Sequence, residues 1–216
     1  MMKKIVCVLL VILSCAFLAA QEKKDALKLY NLGRDYESAG DMTAAEARFR
    51  EAAEVCRAEL KENSRNIESY VVLSWALIRL KDYREAVNMC NEALKINAKE
   101  YRIIETKGEA YFYLDNYTES LKCFETYLSG LPNGPRNVVA MFFVAEAYRL
   151  MGKYEHADIA YCAALNKDPR NALYWFRLGR SREAANNKAG AKEAYTNALK
   201  FRANYPDAQE ALKRVS

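Results

Sequence analysis

Side chains able to do covalent, acid-base or metal chemistry are sparse in this chain. His156 is the single histidine, and no cysteine or carboxylate stands near it at ligand or hydrogen-bond spacing, so neither a metal site nor a general base is legible. It directly precedes Ala157 on a helical stretch, where a solvated polar residue is ordinary. Glu105 and Glu109 are a carboxylate pair one helical turn apart, the residue types of acid-base catalysis. On a helix such a pair reads first as solvated or salt-bridged surface. Glycine-rich phosphate loops, G-x-S-x-G and H-E-x-x-H are absent. Asn116-Tyr117-Thr118 fits a glycosylation acceptor and equally an ordinary inter-helix turn. The expectation is a non-enzyme with no metal and no cofactor.

Four cysteines lie beyond the first twenty residues: Cys56, Cys90, Cys123 and Cys162. Their even number raises the question of disulfides. No C-x-x-C occurs, which leaves out zinc ribbons and thioredoxin-like redox motifs. Cys90, Cys123 and Cys162 recur within one residue of the same register on successive helices of one class. Such helices are too far apart for the roughly 7 Å Cα separation that a bridge requires. The four read as free thiols packed as small hydrophobes.

The elements that carry these residues announce themselves by repetition. Gly33, Ser74, Gly108, Ala145 and Gly179 each stand twelve residues before Ala45, Ala86, Ser120, Ala157 and Ala191, and the stations are 41, 34, 37 and 34 residues apart. Four residues after each second small residue comes Phe49, Cys90, Phe124, Tyr161 or Tyr195. Three further on stands Ala52, Ala93, Tyr127, Ala164 or Ala198. A period near 34 with small residues at two fixed points predicts a helix-turn-helix solenoid, the small side chains letting paired helices touch.

The motifs Leu29-x2-Leu32-Gly33-x2-Tyr36 and Trp175-x2-Leu178-Gly179, with the second-helix stations above and Pro132 and Pro169 at the closing position, resemble the tetratricopeptide repeat family. The resemblance covers about residues 26 to 205 and implies an all-α, right-handed solenoid of about five repeats. The units fall at about 26–59, 67–100, 101–134, 138–171 and 172–205, with a capping helix at 207–215, in one domain over 21–216. Arg57, Ala98 and Ala203 depart from the proline station. Lys61 to Asn66 predicts a prolonged second helix and a polar turn, Gly134-Pro135-Arg136 is a smaller insertion, and the fifth unit is the least regular.

In that family first helices line the inner groove, so the positions three before, one after and four after each first small residue face inward together. The rule selects Tyr30, Arg34 and Glu37; Val71, Trp75 and Ile78; Glu105, Glu109 and Phe112; Phe142, Glu146 and Arg149; Phe176, Arg180 and Glu183. Aromatic and aliphatic groups with charges of both signs suit an extended or helical protein segment. The alternative for any one of them, Val71 and Ile78 above all, is packing against a neighbouring helix. The clamp by which some members of the family hold chaperone carboxyl termini is reduced to a fragment, since its stations carry Tyr30, Arg34, Val72, Arg102 and Thr106.

The formal charge is +5, with basic and acidic residues interspersed, which argues against a nucleic-acid surface. Met1-Met2-Lys3-Lys4 followed by the apolar run Ile5 to Ala20 matches an export signal over residues 1–20 and is short for a membrane span. The bacterial periplasm is the expected location. Ile12-Leu13-Ser14-Cys15 offers a second exit, acylation at Cys15 and a membrane-anchored lipoprotein. Two functions stay open: a periplasmic scaffold that binds a protein partner in its groove and serves envelope assembly, or an accessory of a solute-uptake system that holds a binding protein or small ligand.

Overall fold

The computed structural model describes residues 25–216, and every regular element among them is an α-helix. The leader and Cys15 lie outside the described residues. Among the described residues eleven helices form five helix-turn-helix pairs and a closing helix. The pairs are α1 (Ala26–Ser38) with α2 (Met42–Glu62), α3 (Ile67–Arg79) with α4 (Tyr83–Ile96), and α5 (Tyr101–Tyr113) with α6 (Tyr117–Gly130). Then come α7 (Asn137–Leu150) with α8 (Tyr154–Lys167), α9 (Ala172–Ala184) with α10 (Lys188–Phe201), and α11 (Pro206–Val215). The all-helical solenoid that the repeat pattern implies is the observed architecture.

Local chemistry sets the helix ends. Asp25, Asp41, Asn66, Asn116, Asn171 and Asn187 each accept a hydrogen bond from a backbone N–H of the helix they precede, satisfying donors that the helix leaves free. Within each pair the turn passes through one left-handed residue: Gly40 at φ 84°, Lys81 at 62°, Asp115 at 57°, Gly152 at 74° and Asn186 at 60°. The following amide then reaches back five residues, as Asp41 does to the Tyr36 carbonyl at 3.0 Å and Asp82 to that of Leu77 at 2.9 Å. This reversal returns the chain along its own first helix.

The small stations are where the paired helices meet. A methyl group on Gly33 would stand 2.6 Å from the Phe49 ring, and one on Gly179 would stand 2.5 Å from the Tyr195 ring. Gly108 faces Cys123 and Phe124, and the Ser120 hydroxyl donates to the Gly108 carbonyl at 2.9 Å. Ala45, Ala86, Ala157 and Ala191 are buried, as are Phe49, Cys90, Phe124, Tyr161 and Tyr195. Cys56 is buried too, Cys123 and Cys162 are half-buried, and all four thiols are free. Burial pushes the Cys56 and Cys90 thiols up to about 12, so neither is a thiolate at neutral pH.

Breaks in the 34-residue period have two different outcomes. Helix α2 is 21 residues long against 14 for α4, α6, α8 and α10, so the first interval's extra length is taken up as two further helical turns. The second break goes into the loop of residues 131–136. There the Tyr127 hydroxyl, at a station that is alanine in four of the five repeats, accepts from the Arg136 amide at 3.2 Å, and Asn137 Nδ2 donates to the Leu131 carbonyl at 2.9 Å. Gly134 is required inside this loop, since a β-carbon there would lie 2.7 Å from the Tyr127 hydroxyl oxygen.

First helices of successive repeats pack directly on one another, α1 on α3, α3 on α5, α5 on α7 and α7 on α9, and no comparable contact joins successive second helices. The array therefore curves with its first helices on the inside. At the far end Ala208 and Ala211 of α11 are buried against Phe176, Tyr195 and Ala198, and Arg214 clasps Glu183 at 2.7 Å.

Candidate functional site

The inward stripe of α1, α3 and α5 encloses a cavity of about 310 Å³ lined by Tyr30, Asn31, Arg34, Trp75, Ile78, Arg79, Glu105, Thr106, Glu109 and Arg136. Six of these are residues the repeat register selects. Their places differ in kind: Tyr30 and Ile78 are buried, Trp75 is half-buried with its ring 5.6 Å from that of Tyr30, and Arg34 is exposed. Tyr30 and Trp75 thus form an aromatic wall, and Arg34 stands at the rim.

Glu105 and Glu109 form the polar floor. They are not solvated surface: their side chains are 3% and 13% exposed. Arg136 bridges them, its Nε donating to Glu105 Oε1 at 2.8 Å and an Nη to Glu109 Oε2 at 3.2 Å. Loss of hydration pushes the Glu105 carboxyl up to about 7 against the pull of Arg136, and the same cause raises that of Glu109. Arg79 stands 3.6 Å from Glu37, and its charge together with that of Arg136 opposes the rise at Glu109.

The remaining selected residues lie outside this cavity. Phe112 packs edge-on against Phe143 at 5.0 Å, Phe142 stacks on Tyr174 at 4.6 Å, and Phe176 is buried against Tyr195 and Tyr205. Val71 is fully buried. Glu146 is buried and accepts from Arg149 at 2.7 Å and from the Tyr161 hydroxyl, with Arg177 3.7 Å away. Glu183 is held by Arg214 and Tyr195, and Arg180 is exposed.

Asn31, Arg79, Thr106 and Arg136 are cavity residues that the three-position rule does not select. Arg79 is one residue past an inward station. Arg136 had a visible signal, the broken period between Gly108 and Ala145. Among the described residues no group of three His, Cys, Asp or Glu is placed to hold a metal ion, and no helix is long and apolar enough to cross a membrane.

Two tetratricopeptide repeat family models match the chain, over residues 24–99 and 138–171, together about half of it. The chain belongs to the tetratricopeptide repeat family. The array is also similar to RNA polymerase II-associated protein 3 of Xenopus laevis, 32% identical over 112 residues. That stretch is 51% of this chain and only 16% of that protein. Among solved structures, the repeat protein superposes on PilW, described as a widely conserved type IV pilus biogenesis factor, with TM-score 0.70 at 18% identity, covering 88% of this chain and 90% of that one. YrrB, a repeat protein described as having an unusual peptide-binding site, gives 0.62 at 18% identity, covering 92% and 97%. MamA of Desulfovibrio magneticus RS-1 gives 0.66 at 21% identity, covering 83% and 97%. Likeness at these identities establishes the shared fold, and protein-protein interaction of the scaffold type fits it.

Proposed function

We propose that this chain is a non-enzymatic scaffold that holds a segment of a protein partner in its concave groove, acts in the bacterial periplasm after export, and serves assembly of an envelope complex. The observation that carries the reading is the cavity on the inner face, where the aromatic wall of Tyr30 and Trp75 meets charged groups of both signs from α1, α3 and α5. Buried aromatic and charged groups of this kind anchor interfaces. The leader sequence supports export, with Cys15 acylation as the route to membrane attachment. The biogenesis role named for PilW and the peptide site named for YrrB belong to those proteins and make such a role a reasonable one to test here.

Trp75 is the residue to test first, because it lines the cavity, whereas Phe112, Phe142 and Phe176 pack against rings of neighbouring helices. Gentle crosslinking in intact cells, followed by capture of the wild type and of Trp75→Ala, is expected to retrieve a partner that the variant loses while keeping its helical circular dichroism. Equal capture by both would move recognition to the convex face. Intact-mass analysis reads export at the same time: the chain is expected to begin near Gln21 or at a lipid-bearing Cys15, and a retained Met1 in the soluble cytoplasm overturns the localisation.

A further inference from the structure

The two ends of the solenoid are finished differently. In every repeat after the first, the first helix packs on the second helix of the repeat before it: α3 on α2, α5 on α4, α7 on α6 and α9 on α8. Among the described residues α1 has no such neighbour. The stations that a preceding helix covers show the consequence. Leu73 and Leu178, each just before the first small position, are buried, whereas Leu32 at the same station is 41% exposed. Three residues after the small position Leu77 is buried, and Tyr36 is exposed. At the far end α11 buries Ala208 and Ala211 and leaves Asp207, Gln209, Glu210 and Lys213 exposed, the polar outer face that closes an array.

Two further stations change their chemistry at the open end. Five residues before the small position stand Ser69, Ile103, Ala140 and Tyr174, and two after it stand Ala76, Ala110, Ala147 and Ser181, all of them buried. In α1 these stations hold Lys28 and Asp35, opposite in charge and both exposed. Asp35 makes no side-chain hydrogen bond or ion pair among the described residues, and Lys28 reaches only Asp25, at 3.9 Å. Lys28, Leu32, Asp35 and Ala39 follow at intervals of four, three and four residues, so they form one stripe along α1 with Tyr36 beside it. That stripe is complementary to itself. Laid antiparallel on a second α1 about a two-fold axis at Leu32, it sets Leu32 against its counterpart and brings each Lys28 to the other copy's Asp35.

We propose that α1 is the interface of a two-fold dimer, in which a second copy of this chain gives Leu32 and Tyr36 the cover that a preceding repeat gives every later first helix. Gln21 to Lys24, immediately before Asp25, are polar and offer that stripe no apolar cover. The closed far end presents no matching apolar face for head-to-tail growth, so association stops at two copies. Tyr30 and Arg34, which line the cavity, project from the opposite side of α1. Pairing therefore leaves the groove open, and the proposal stands apart from the groove reading.

Sedimentation velocity on the mature protein, beginning at Gln21 and held at low ionic strength to limit screening of the ion pairs, is expected to show a concentration-dependent monomer-dimer equilibrium. Leu32→Glu is expected to weaken it at least about tenfold while helical circular dichroism is unchanged. Lys28→Asp alone, or Asp35→Lys alone, sets like charges against one another twice in each dimer and is expected to weaken it by about tenfold as well. Mixed in equal amounts, these two variants again place opposite charges at both contacts, and heterodimers about as tight as the wild-type dimer are expected. That rescue would not follow if either substitution acted only by damaging α1. A wild-type chain that stays monomeric at every concentration overturns the proposal. A dimer indifferent to Leu32→Glu does so too, as does a variant mixture that associates no better than its components.

Discussion

Glu109 and Glu146 occupy the same station in neighbouring repeats, one residue after the first small position, yet the solenoid treats them oppositely. Glu146 is saturated: Arg149 from its own helix and Tyr161 from α8 both donate to it, and Arg177 stands close by. Glu109 shares a single arginine with Glu105 and opens into a cavity. A buried carboxylate surrounded by donors fastens its repeat, whereas one left short of donors keeps interaction capacity for something else. The repeat geometry is common to both; what differs is which residues arrive around it.

The largest expected effect comes from breaking the saturated site. Glu146→Ala strands Arg149, whose side chain is only 14% exposed, and the Tyr161 hydroxyl, and is expected to cost about 3–5 kcal/mol. Glu109→Ala leaves Arg136 its bond to Glu105 and is expected to cost about 1 kcal/mol. Urea denaturation of the two variants at pH 7 measures the difference directly, and equal losses would mean that the two stations are alike after all.

A second effect separates the sites by pH. In the folded state the Glu105 carboxyl holds its proton up to about 7, while in the unfolded chain it releases it in the ordinary glutamate range. The folded state thus binds more protons between these values, so stability is highest below that window and falls as pH rises through it, on the order of 3 kcal/mol in all. The raised Glu109 carboxyl adds to the fall with the same sign. Glu105→Gln is expected to flatten the profile of unfolding free energy between pH 5 and 8. An unchanged slope would show that Glu105 does not control it.

Gly134→Ala tests how the open site is positioned. The added carbon would meet the Tyr127 hydroxyl at 2.7 Å and Asn137 Oδ1 at 2.8 Å, and the expected loss is about 1–3 kcal/mol through displacement of the loop. Because that loop delivers Arg136, the Glu105 midpoint should move further up, which NMR titration of the carboxyl can read. A loss of stability with no movement of the midpoint would show that Arg136 is positioned independently of the loop.

The repeats are legible in the sequence because their contacts are local and periodic. Gly33 against Phe49 and Gly179 against Tyr195 follow from a fixed offset, and the inward stripe follows from helical geometry alone. The cavity is legible only in part, since the register finds Tyr30, Trp75, Glu105 and Glu109 but not how deeply each is buried. Glu105 and Glu109 read as surface because a carboxylate pair one turn apart says nothing about the helix packed over it. Phe142 and Phe176 read as groove residues for the same reason, although their rings also meet Tyr174 and Tyr205 across repeat boundaries. Arg136 escapes the rule because it rides on an insertion, where the pattern that locates everything else is broken.

The smallest effect concerns the outermost member of the saturated site. Arg177 lies 3.7 Å from Glu146, its side chain is 31% exposed, and its Nε is buried without a hydrogen bond. A long ion pair of that kind adds little, and the unpaired Nε costs about as much as the weak attraction returns. Arg177→Met keeps the aliphatic volume and removes both contributions, so its unfolding free energy is expected to stay within about 0.5 kcal/mol of the wild type. Arg149→Met, by contrast, removes the 2.7 Å contact and is expected to cost about 2–3 kcal/mol. If Arg177→Met proves as damaging as Arg149→Met, Glu146 needs all three donors. The difference from Glu109 would then be one of donor number, where here it is drawn as one short bridge and one buried hydroxyl.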